Sequence, residues 1–178
     1  MHKVLIAYAS GYGSTAEVAR EMGETLMQEG ISVTVSQLPG NHSPEQYDAV
    51  IVGSAIRYDR WMPAAKEFVI NNSATLDKMP VAFFFNCLTL ARRSDETEEK
   101  AHQYARQLFS LDEKVKPLSV GRFPGVLDYT KMPFFIRTIF KIFGFIAGLQ
   151  PGDYRDWKEI RQWTKDVEVQ FKTLLSQR

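Results

Sequence analysis

The chain has little cysteine: Cys87 is the only one among its 178 residues. A single cysteine excludes an intramolecular disulfide and favours a reducing compartment. The three histidines, His2, His42 and His102, are scattered without the spacing of metal ligands, so the sequence predicts no metal site. The first residues run directly into an apolar strand with no cleavable signal segment ahead of it, and we therefore expect a cytoplasmic protein.

The chain also lacks an excess of charge of either sign. It holds 22 basic and 21 acidic residues, which leaves a formal net charge of +1. No global field attracts nucleic acid, and neither a basic recognition helix nor an RNA-binding motif is present, so we expect no nucleic-acid partner. The length suits one domain with a substantial core, and we predict a single domain over residues 1–178.

A turn without lysine follows the first apolar run, Val4–Ala9. It is rich in glycine and hydroxyl groups and consists of Ser10, Gly11, Tyr12, Gly13, Ser14 and Thr15. The missing lysine excludes a nucleoside-triphosphatase loop. Glycines allow a ligand to approach the backbone, and the following helix start attracts anions, so the turn predicts a monophosphate site with hydroxyl donors from Ser10, Ser14 and Thr15. The alternative is that these hydroxyls only cap the helix.

A carboxylate is missing where a dinucleotide site would need one. Gly11, Gly13 and Ala16 match the looser dinucleotide fingerprint. The acidic partner of that fingerprint should stand near the end of the second strand, where this chain has Ser36 and Gln37. Nothing there can bind a ribose diol, and the dinucleotide interpretation fails.

Apolar runs and amphipathic patterns alternate along the chain. They predict strands over residues 4–9, 31–36, 49–52, 81–85 and 117–120, with helices between them and a closing helix from Trp157. The second strand alternates polar and apolar residues, as an edge strand does. We therefore predict an α/β fold, a flavodoxin-like three-layer sandwich whose five-stranded parallel sheet has the order 2-1-3-4-5. A phosphoreceiver domain shares this sheet, but Ser10 and Gly53 occupy the positions where it needs carboxylates.

Ligands of such sheets bind beyond the carboxyl ends of the strands, where the loops 10–15, 54–62 and 86–93 should meet. A flavin mononucleotide, FMN, needs a phosphate loop and two further loops that sandwich its ring. Tyr58 and Trp61 are candidates to stack on the ring, or alternatively aromatic residues that cover the core. Asn86, Leu88 and Thr89 could meet the pyrimidine edge through backbone groups. Cys87 fits a small buried apolar residue better than a redox thiol.

Several short motifs occur in order along nearly the whole chain. They are Gly53-Ser54-Ala55-Ile56-Arg57-Tyr58, Met79-Pro80-Val81-Ala82-Phe83-Phe84, Ala91-Arg92-Arg93, Tyr104-Ala105-Arg106 and Asp156-Trp157. With these motifs the chain resembles a flavodoxin domain, and more narrowly the quinone-dependent protoporphyrinogen oxidases of bacterial haem synthesis.

The resemblance implies an FMN-dependent oxidoreductase that passes electrons from protoporphyrinogen IX through FMN to a menaquinone-type acceptor. Arg57 and Arg92 are candidate contacts for the flavin or for substrate carboxylates, with Arg93 as a further cation. An electron-transfer flavodoxin and a quinone reductase supplied by NAD(P)H are the alternatives. The candidate cofactor-binding residues are Ser10, Gly11, Tyr12, Gly13, Ser14, Thr15, Ser54, Ala55, Ile56, Arg57, Tyr58, Asn86, Cys87, Leu88, Thr89, Leu90, Ala91 and Arg92.

Acidic residues are absent from residues 129–152, within an apolar, cationic insertion that we place at about 122–152, before the last helix. Its helix-compatible part, residues 134–147, would be about 21 Å long, short of the roughly 30 Å of a bilayer core. Arg137 and Lys141 share one narrow stripe beside apolar residues such as Phe134 and Phe140. This pattern favours contact with the inner face of the cell membrane or with an apolar ligand. Packing on the domain and a homo-oligomer contact are the alternatives.

Overall fold

The computed structural model describes residues 2–110, 112–131 and 149–177. The candidate membrane contacts Phe134, Arg137, Phe140 and Lys141 lie outside the described residues. Within the described ranges, no helix combines the length and the apolar character that crossing a membrane requires.

Strands and helices alternate along the chain, as the apolar runs predicted. The strands are β1 Lys3–Ala9, β2 Ser32–Gln37, β3 Ala49–Arg57, β4 Arg60–Trp61, β5 Val81–Cys87, β6 Val120–Pro124, β7 Val126–Leu127 and β8 Gly152–Asp153. The helices are α1 Ser14–Gln28, α2 Pro63–Asn71, α3 Ser73–Leu76, α4 Asp95–Phe109 and α5 Trp157–Leu175, with short 3₁₀ turns at Pro44–Gln46, Leu88–Ala91 and Tyr129–Lys131.

The main sheet is parallel and has the order β2-β1-β3-β5-β6. This is the predicted order 2-1-3-4-5, and the alternating strand β2 lies at an edge as expected. In register, Ala7 of β1 pairs with Val52 of β3, and Val52 pairs with Phe83 of β5. The carboxyl ends of β1, β3 and β5 therefore meet at one edge of the sheet, which we call the switch-point edge.

Helices cover both faces of the sheet, and the side chains of each strand alternate between the two cores. On one face, Leu5 and Val50 pack in a cluster with residues of α2, α3 and α4. On the other face, Ile6 and Ile51 pack in a cluster with residues of α1 and α5. A strand buried on both faces is apolar throughout, which is why β1 was recognisable as an unbroken apolar run. The three-layer sandwich is confirmed.

Two strands differ from their predicted bounds by three or more residues, and β5 continues two residues past its predicted end, to Cys87. The sequence placed the end of the third strand before Gly53, but β3 continues to Arg57. A Cβ atom on Gly53 would lie 2.2 Å from the ring of Phe84, so this glycine accommodates an aromatic ring inside a strand and does not end it. The last strand of the main sheet runs over Val120–Pro124 and not over residues 117–120, so the chain leaves the sheet at Gly125.

Two antiparallel pairs complete the structure. Strand β4 turns back on the end of β3, with Ile56 opposite Trp61, so part of the loop predicted over residues 54–62 is a β-hairpin. Strands β7 and β8 pair with Val126 opposite Asp153, and this short ribbon joins the two ends of the insertion.

Candidate functional site

The turn between β1 and α1 begins the site at the switch-point edge. Gly13 has a φ of 93°, a left-handed conformation that glycine adopts without strain, and it is the N-cap residue of α1. The hydroxyl of Ser10 accepts a hydrogen bond of 3.1 Å from the Gly13 amide. In the described part of the chain, no side chain makes a capping hydrogen bond at α1. By contrast, the side chains of Ser94 and Asp156 cap α4 and α5. The cap interpretation of the serine and threonine hydroxyls is therefore not observed at α1.

Thr15 carries a buried hydroxyl in the first turn of α1. The residue is 0% exposed, and its Oγ1 has no hydrogen-bond partner among the residues that the structure describes. The first N–H groups of any helix have no intrahelical acceptor, and the helix dipole makes this end positive. A hydroxyl donor beside such amides suits an anion with several acceptor oxygens, such as a phosphate monoester.

A tight hairpin forms the second loop of the site. Its turn residues Tyr58 and Asp59 have φ values of 51° and 58°, and Tyr58 is 79% exposed, so its ring is available to a ligand. Trp61 differs from expectation. It is 1% exposed, and its indole N–H donates to the carbonyl oxygen of Tyr104 at 2.9 Å. Because a two-residue turn returns Trp61 to the core side of β3, this ring cannot stack on a ligand at the edge, and the core-covering alternative holds.

Arg57 connects the hairpin with the first loop. Its guanidinium carbon lies 4.8 Å from the ring centroid of Tyr12, and its Nη2 donates to the Tyr12 hydroxyl at 3.1 Å. A Cβ on Gly11 would lie 3.1 Å from Nη1 of Arg57, so a glycine here lets the arginine approach the loop. Ser54 points inward instead. Its hydroxyl accepts from the Met62 amide at 3.0 Å and donates to the Ala55 carbonyl, which leaves only its backbone as a ligand contact.

The third loop begins at the end of β5 and continues into the 3₁₀ turn Leu88–Ala91. Asn86 is 3% exposed. Its Nδ2 donates to the Pro124 carbonyl at 3.2 Å, while its Oδ1 has no hydrogen-bond partner in the described ranges. Cys87 is 4% exposed, and burial raises the pKa of its thiol to about 11, as the expectation of a buried apolar residue required. Leu90 is also buried, whereas Arg92 is exposed at the end of the loop.

Tyr104 of α4 makes contacts that the sequence interpretation missed, since this residue appeared there only in the motif Tyr104-Ala105-Arg106. Its hydroxyl donates to Oδ1 of Asp59 at 2.5 Å and lies 3.2 Å from Oγ1 of Thr89. Lys100 forms an ion pair with Asp59 at 3.1 Å, and Gln107 donates to the Asp59 carbonyl at 2.8 Å. The spacing of residues 100, 104 and 107 is helical and was visible in the sequence, but their common partner was not.

Arg155 is a second residue that was missed. Its side chain is 5% exposed and lies 4.3 Å above the ring of Trp157. Its guanidinium donates to both carboxylate oxygens of Asp153, pairs with Glu17 at 2.7 Å, and donates to the Ser14 carbonyl at 3.2 Å. The returning end of the insertion is thereby attached to the first turn of α1.

Among the residues that the structure describes, the site provides hydrogen-bond donors and cations but no strong base. The hydrogen bond from Tyr104, with help from Lys100, lowers the pKa of the Asp59 carboxyl, and burial keeps the Cys87 thiol protonated near neutral pH. Arg93 faces elsewhere, because it makes two hydrogen bonds of 2.8 Å to the carboxylate of Glu159 on α5. Within the described ranges, no group of three or more His, Cys, Asp or Glu side chains could hold a metal ion. The arrangement suits binding and orientation of an anionic ligand with a flat ring.

Known proteins resemble this chain in fold and in sequence. The structure superposes on oxidised flavodoxin 2 from Bacillus cereus with a TM-score of 0.58 at 18% identity, covering 95% of this chain and 99% of that one. Protoporphyrinogen IX dehydrogenase [quinone] from Escherichia coli (strain K12) is 27% identical over 172 residues, which cover 93% of this chain and 94% of the relative. A protein with the same name from Leishmania major is 27% identical over 172 residues, 92% of this chain and 74% of that protein.

The resemblance drawn from the motifs is thus confirmed by relatives that align along nearly the whole chain. Residues 5–148 match the flavodoxin domain. This match takes in most of β1, the three loops of the switch-point edge and the strands that position them. The chain belongs to the flavodoxin domain family.

Proposed function

We propose that this protein is an FMN-dependent oxidoreductase that oxidises a porphyrinogen and transfers the electrons to a quinone. The buried, unpartnered hydroxyl of Thr15 at the start of α1 is the observation that supports the cofactor most directly. The names of the relatives from Escherichia coli and Leishmania major, which align with more than nine-tenths of this chain, support the substrate and the acceptor.

The residues of the first loop fit the phosphate of FMN. Thr15 Oγ1 and the hydroxyl of Ser14 would donate to phosphate oxygens, together with the amides at the start of α1. Gly11 and Gly13 keep the backbone accessible. A doubly charged phosphate at this position gains from the helix dipole, whereas a free ribose diol would find no carboxylate partner.

The two other loops fit the ring of the flavin. Tyr58 is exposed and would stack on one face of the ring, in the arrangement that aromatic side chains prefer. The backbone of residues 86–91 would meet the pyrimidine edge, and Asn86 Oδ1 is a buried acceptor at the start of this loop. Bound FMN supplies the redox chemistry, accepting electrons from one partner and delivering them to another.

The side chains of the site would bind and orient the substrate. A porphyrinogen carries carboxylate groups on a largely apolar body, and Arg57 and Arg92 offer guanidinium groups that form paired hydrogen bonds with carboxylates. Arg57 is already oriented by Tyr12, so little side-chain freedom is lost when it binds. We assign no side-chain base, since the pKa of Asp59 is lowered and that of Cys87 is raised to about 11.

The insertion would bring this site to a lipid surface. Its sequence combines Arg137 and Lys141 with many apolar residues and no acidic ones over residues 129–152. Such a segment binds anionic lipid headgroups through its cations and the acyl boundary through its apolar side. A lipid quinone is confined to the membrane, so a peripheral position on the inner face would give the flavin access to its acceptor.

An anaerobic assay tests the function. The purified protein, loaded with FMN, is mixed with protoporphyrinogen IX and a menaquinone analogue, and porphyrin fluorescence is followed over time. We expect fluorescence to grow only when the protein and the quinone are both present. A protein with bound flavin that shows no rate above the blank would contradict the oxidase. Turnover of the quinone with NAD(P)H in place of the porphyrinogen would identify the reductase instead.

A further inference from the structure

One hydroxyl group joins two of the three loops at the switch-point edge. Tyr104 OH donates its single proton to Oδ1 of Asp59, which follows β3, at a distance of 2.5 Å. Because that proton is used, the hydroxyl of Thr89, 3.2 Å away in the loop after β5, donates to the Tyr104 oxygen. The hairpin and the third loop are therefore connected through a residue of α4 that belongs to neither.

The hairpin turn needs such a connection. Tyr58 and Asp59 both have positive φ, at 51° and 58°, as a type I′ turn requires. Sequences that favour this turn place Asn or Gly there, and a bulky residue such as Tyr58 is strained in this region. Strained backbone persists only where its surroundings hold it in place.

Helix α4 holds the turn at more than one point. Gln107 donates to the Asp59 carbonyl at 2.8 Å, and Lys100 pairs with the Asp59 carboxylate at 3.1 Å. Tyr104 makes the shorter of the two contacts with that carboxylate. Its ring is fixed by an edge-to-face contact with Phe85, with centroids 5.9 Å apart. A rigid helix thus imposes the conformation in which Tyr58 faces outward.

We propose that Tyr104 is a positioning residue for the flavin ring, whose hydroxyl keeps the Tyr58–Asp59 turn and the third loop at the separation that the ring requires. This inference rests on the proposed function, because it takes the flavin ring to lie between these loops. Tyr104 is 2% exposed, so it would act through these loops and not by direct contact with the flavin. Its hydroxyl would raise the fraction of molecules in which the hairpin already has the binding conformation. The observed affinity for the flavin ring is proportional to that fraction.

The substitution Tyr104→Phe removes only this hydroxyl and keeps the aromatic ring. A hydrogen bond to a charged group is strong enough that its loss should reduce the binding-competent fraction about tenfold. Riboflavin has the ring but no phosphate. Y104F should therefore weaken the binding of riboflavin and the binding of FMN by the same factor. A substitution in the phosphate loop should weaken FMN alone. This equality separates positioning of the ring from a defect in the phosphate loop, and the exchange of amide hydrogens near the turn separates it from a general loss of stability.

The experiment is a set of flavin-fluorescence titrations of the full-length apoprotein with riboflavin and with FMN. The variants are Y104F, Asp59→Asn and the double variant. Asp59 is 62% exposed at its side chain, so D59N leaves the core intact even if Y104F folds poorly. Tyr47→Phe is the matched control. Tyr47 forms one hydrogen bond of 3.0 Å with His42. It lies just before β3, at the amino-terminal end of the strands and away from the switch-point edge.

We expect Y104F to lose about tenfold in affinity for both ligands, D59N to lose less, and the double variant to be no weaker than Y104F. In the apoprotein, the amide hydrogens of residues 57–61 should exchange faster in Y104F than in wild type. In Y47F their exchange rates should equal those of wild type. Riboflavin affinity and exchange equal to wild type in Y104F would overturn the inference, as would effects of the two single variants that add in the double. Flavin binding without oxidation of porphyrinogen would contradict the proposed function alone, whereas a wild type that binds no flavin would overturn both.

Discussion

Replacing Thr15 with valine should have two opposite effects: it should stabilise the apoprotein and weaken the binding of FMN. Thr15 is 0% exposed, and its Oγ1 finds no partner among the described residues. A buried, unsatisfied hydroxyl destabilises a fold by about 1–3 kcal/mol, and valine has nearly the same shape. For a domain of this size, about 1 kcal/mol corresponds to a rise in melting temperature of about 2–4 °C.

The same substitution removes a hydrogen bond to the phosphate. A hydrogen bond to a charged group contributes about 1.5–3 kcal/mol, so the Kd for FMN should rise about 10- to 150-fold. Riboflavin lacks the phosphate and should bind Thr15→Val as tightly as wild type. Melting curves of the apoprotein and fluorescence titrations with both flavins measure the two effects.

Thr164→Val is the matched control for this prediction. Thr164 is also 0% exposed in a helix, but its hydroxyl donates to the Ile160 carbonyl at 2.8 Å. Loss of this satisfied hydrogen bond should reduce the free energy of unfolding by about 1 kcal/mol and so lower the melting temperature. The affinity for FMN should not change. If T15V instead lowers the melting temperature as T164V does, and binds FMN like wild type, the hydroxyl has no role in phosphate binding and our reasoning about this loop is refuted.

Three further predictions concern other parts of the molecule. Burial raises the pKa of Cys87 from 9.0 to about 11, so alkylation by iodoacetamide at pH 8 should be about a hundredfold slower in the native than in the unfolded chain, and equal rates would contradict the burial. Folding lowers the pKa of Asp59 and raises that of Tyr104. Their hydrogen bond therefore stabilises the fold fully between the ordinary Asp pKa of 3.8 and the ordinary Tyr pKa of 10.0. This stabilisation is lost as the pH falls through the folded pKa of Asp59 or rises through the folded pKa of Tyr104. The difference in melting temperature between wild type and Y104F should therefore be constant between those limits and shrink outside them, whereas a difference independent of pH would contradict the charge on Asp59. Replacing residues 130–150 with a short Gly-Ser turn should abolish binding to anionic vesicles in a flotation assay and preserve FMN binding, and undiminished flotation would refute the membrane role.

The order of the sheet could be predicted because burial leaves a simple mark on strands. Apart from Lys3 and Asn86 near their ends, β1 and β5 are buried on both faces and apolar, while β2 alternates polar and apolar residues and is only partly buried, as an edge strand is. The end of β3 could not be predicted, since Gly53 looks like a strand terminator. Only the fold shows that Phe84 on the neighbouring strand fills the space that a side chain would need.

The candidate site shows the same division. The three loops were found because parallel strands place their carboxyl ends at one edge, and that requires only the strand order. Trp61 was misplaced because its direction depends on a two-residue turn that the composition of the loop does not reveal. The contact between Tyr104 and Asp59 joins residues 45 positions apart, so no local pattern could indicate it.

The pairing of β7 with β8 has a consequence for how this enzyme can vary. Val126 lies opposite Asp153, and Arg155 attaches the second of these strands to α1, so the chain on either side of residues 128–151 is held together at the domain. The inserted segment can therefore vary independently of the rest of the domain. Doubling its length would cost only about 0.6 kcal/mol of loop entropy. One flavin scaffold can therefore accept segments of different length and chemistry at this position, and change what it docks against without rebuilding the cofactor site.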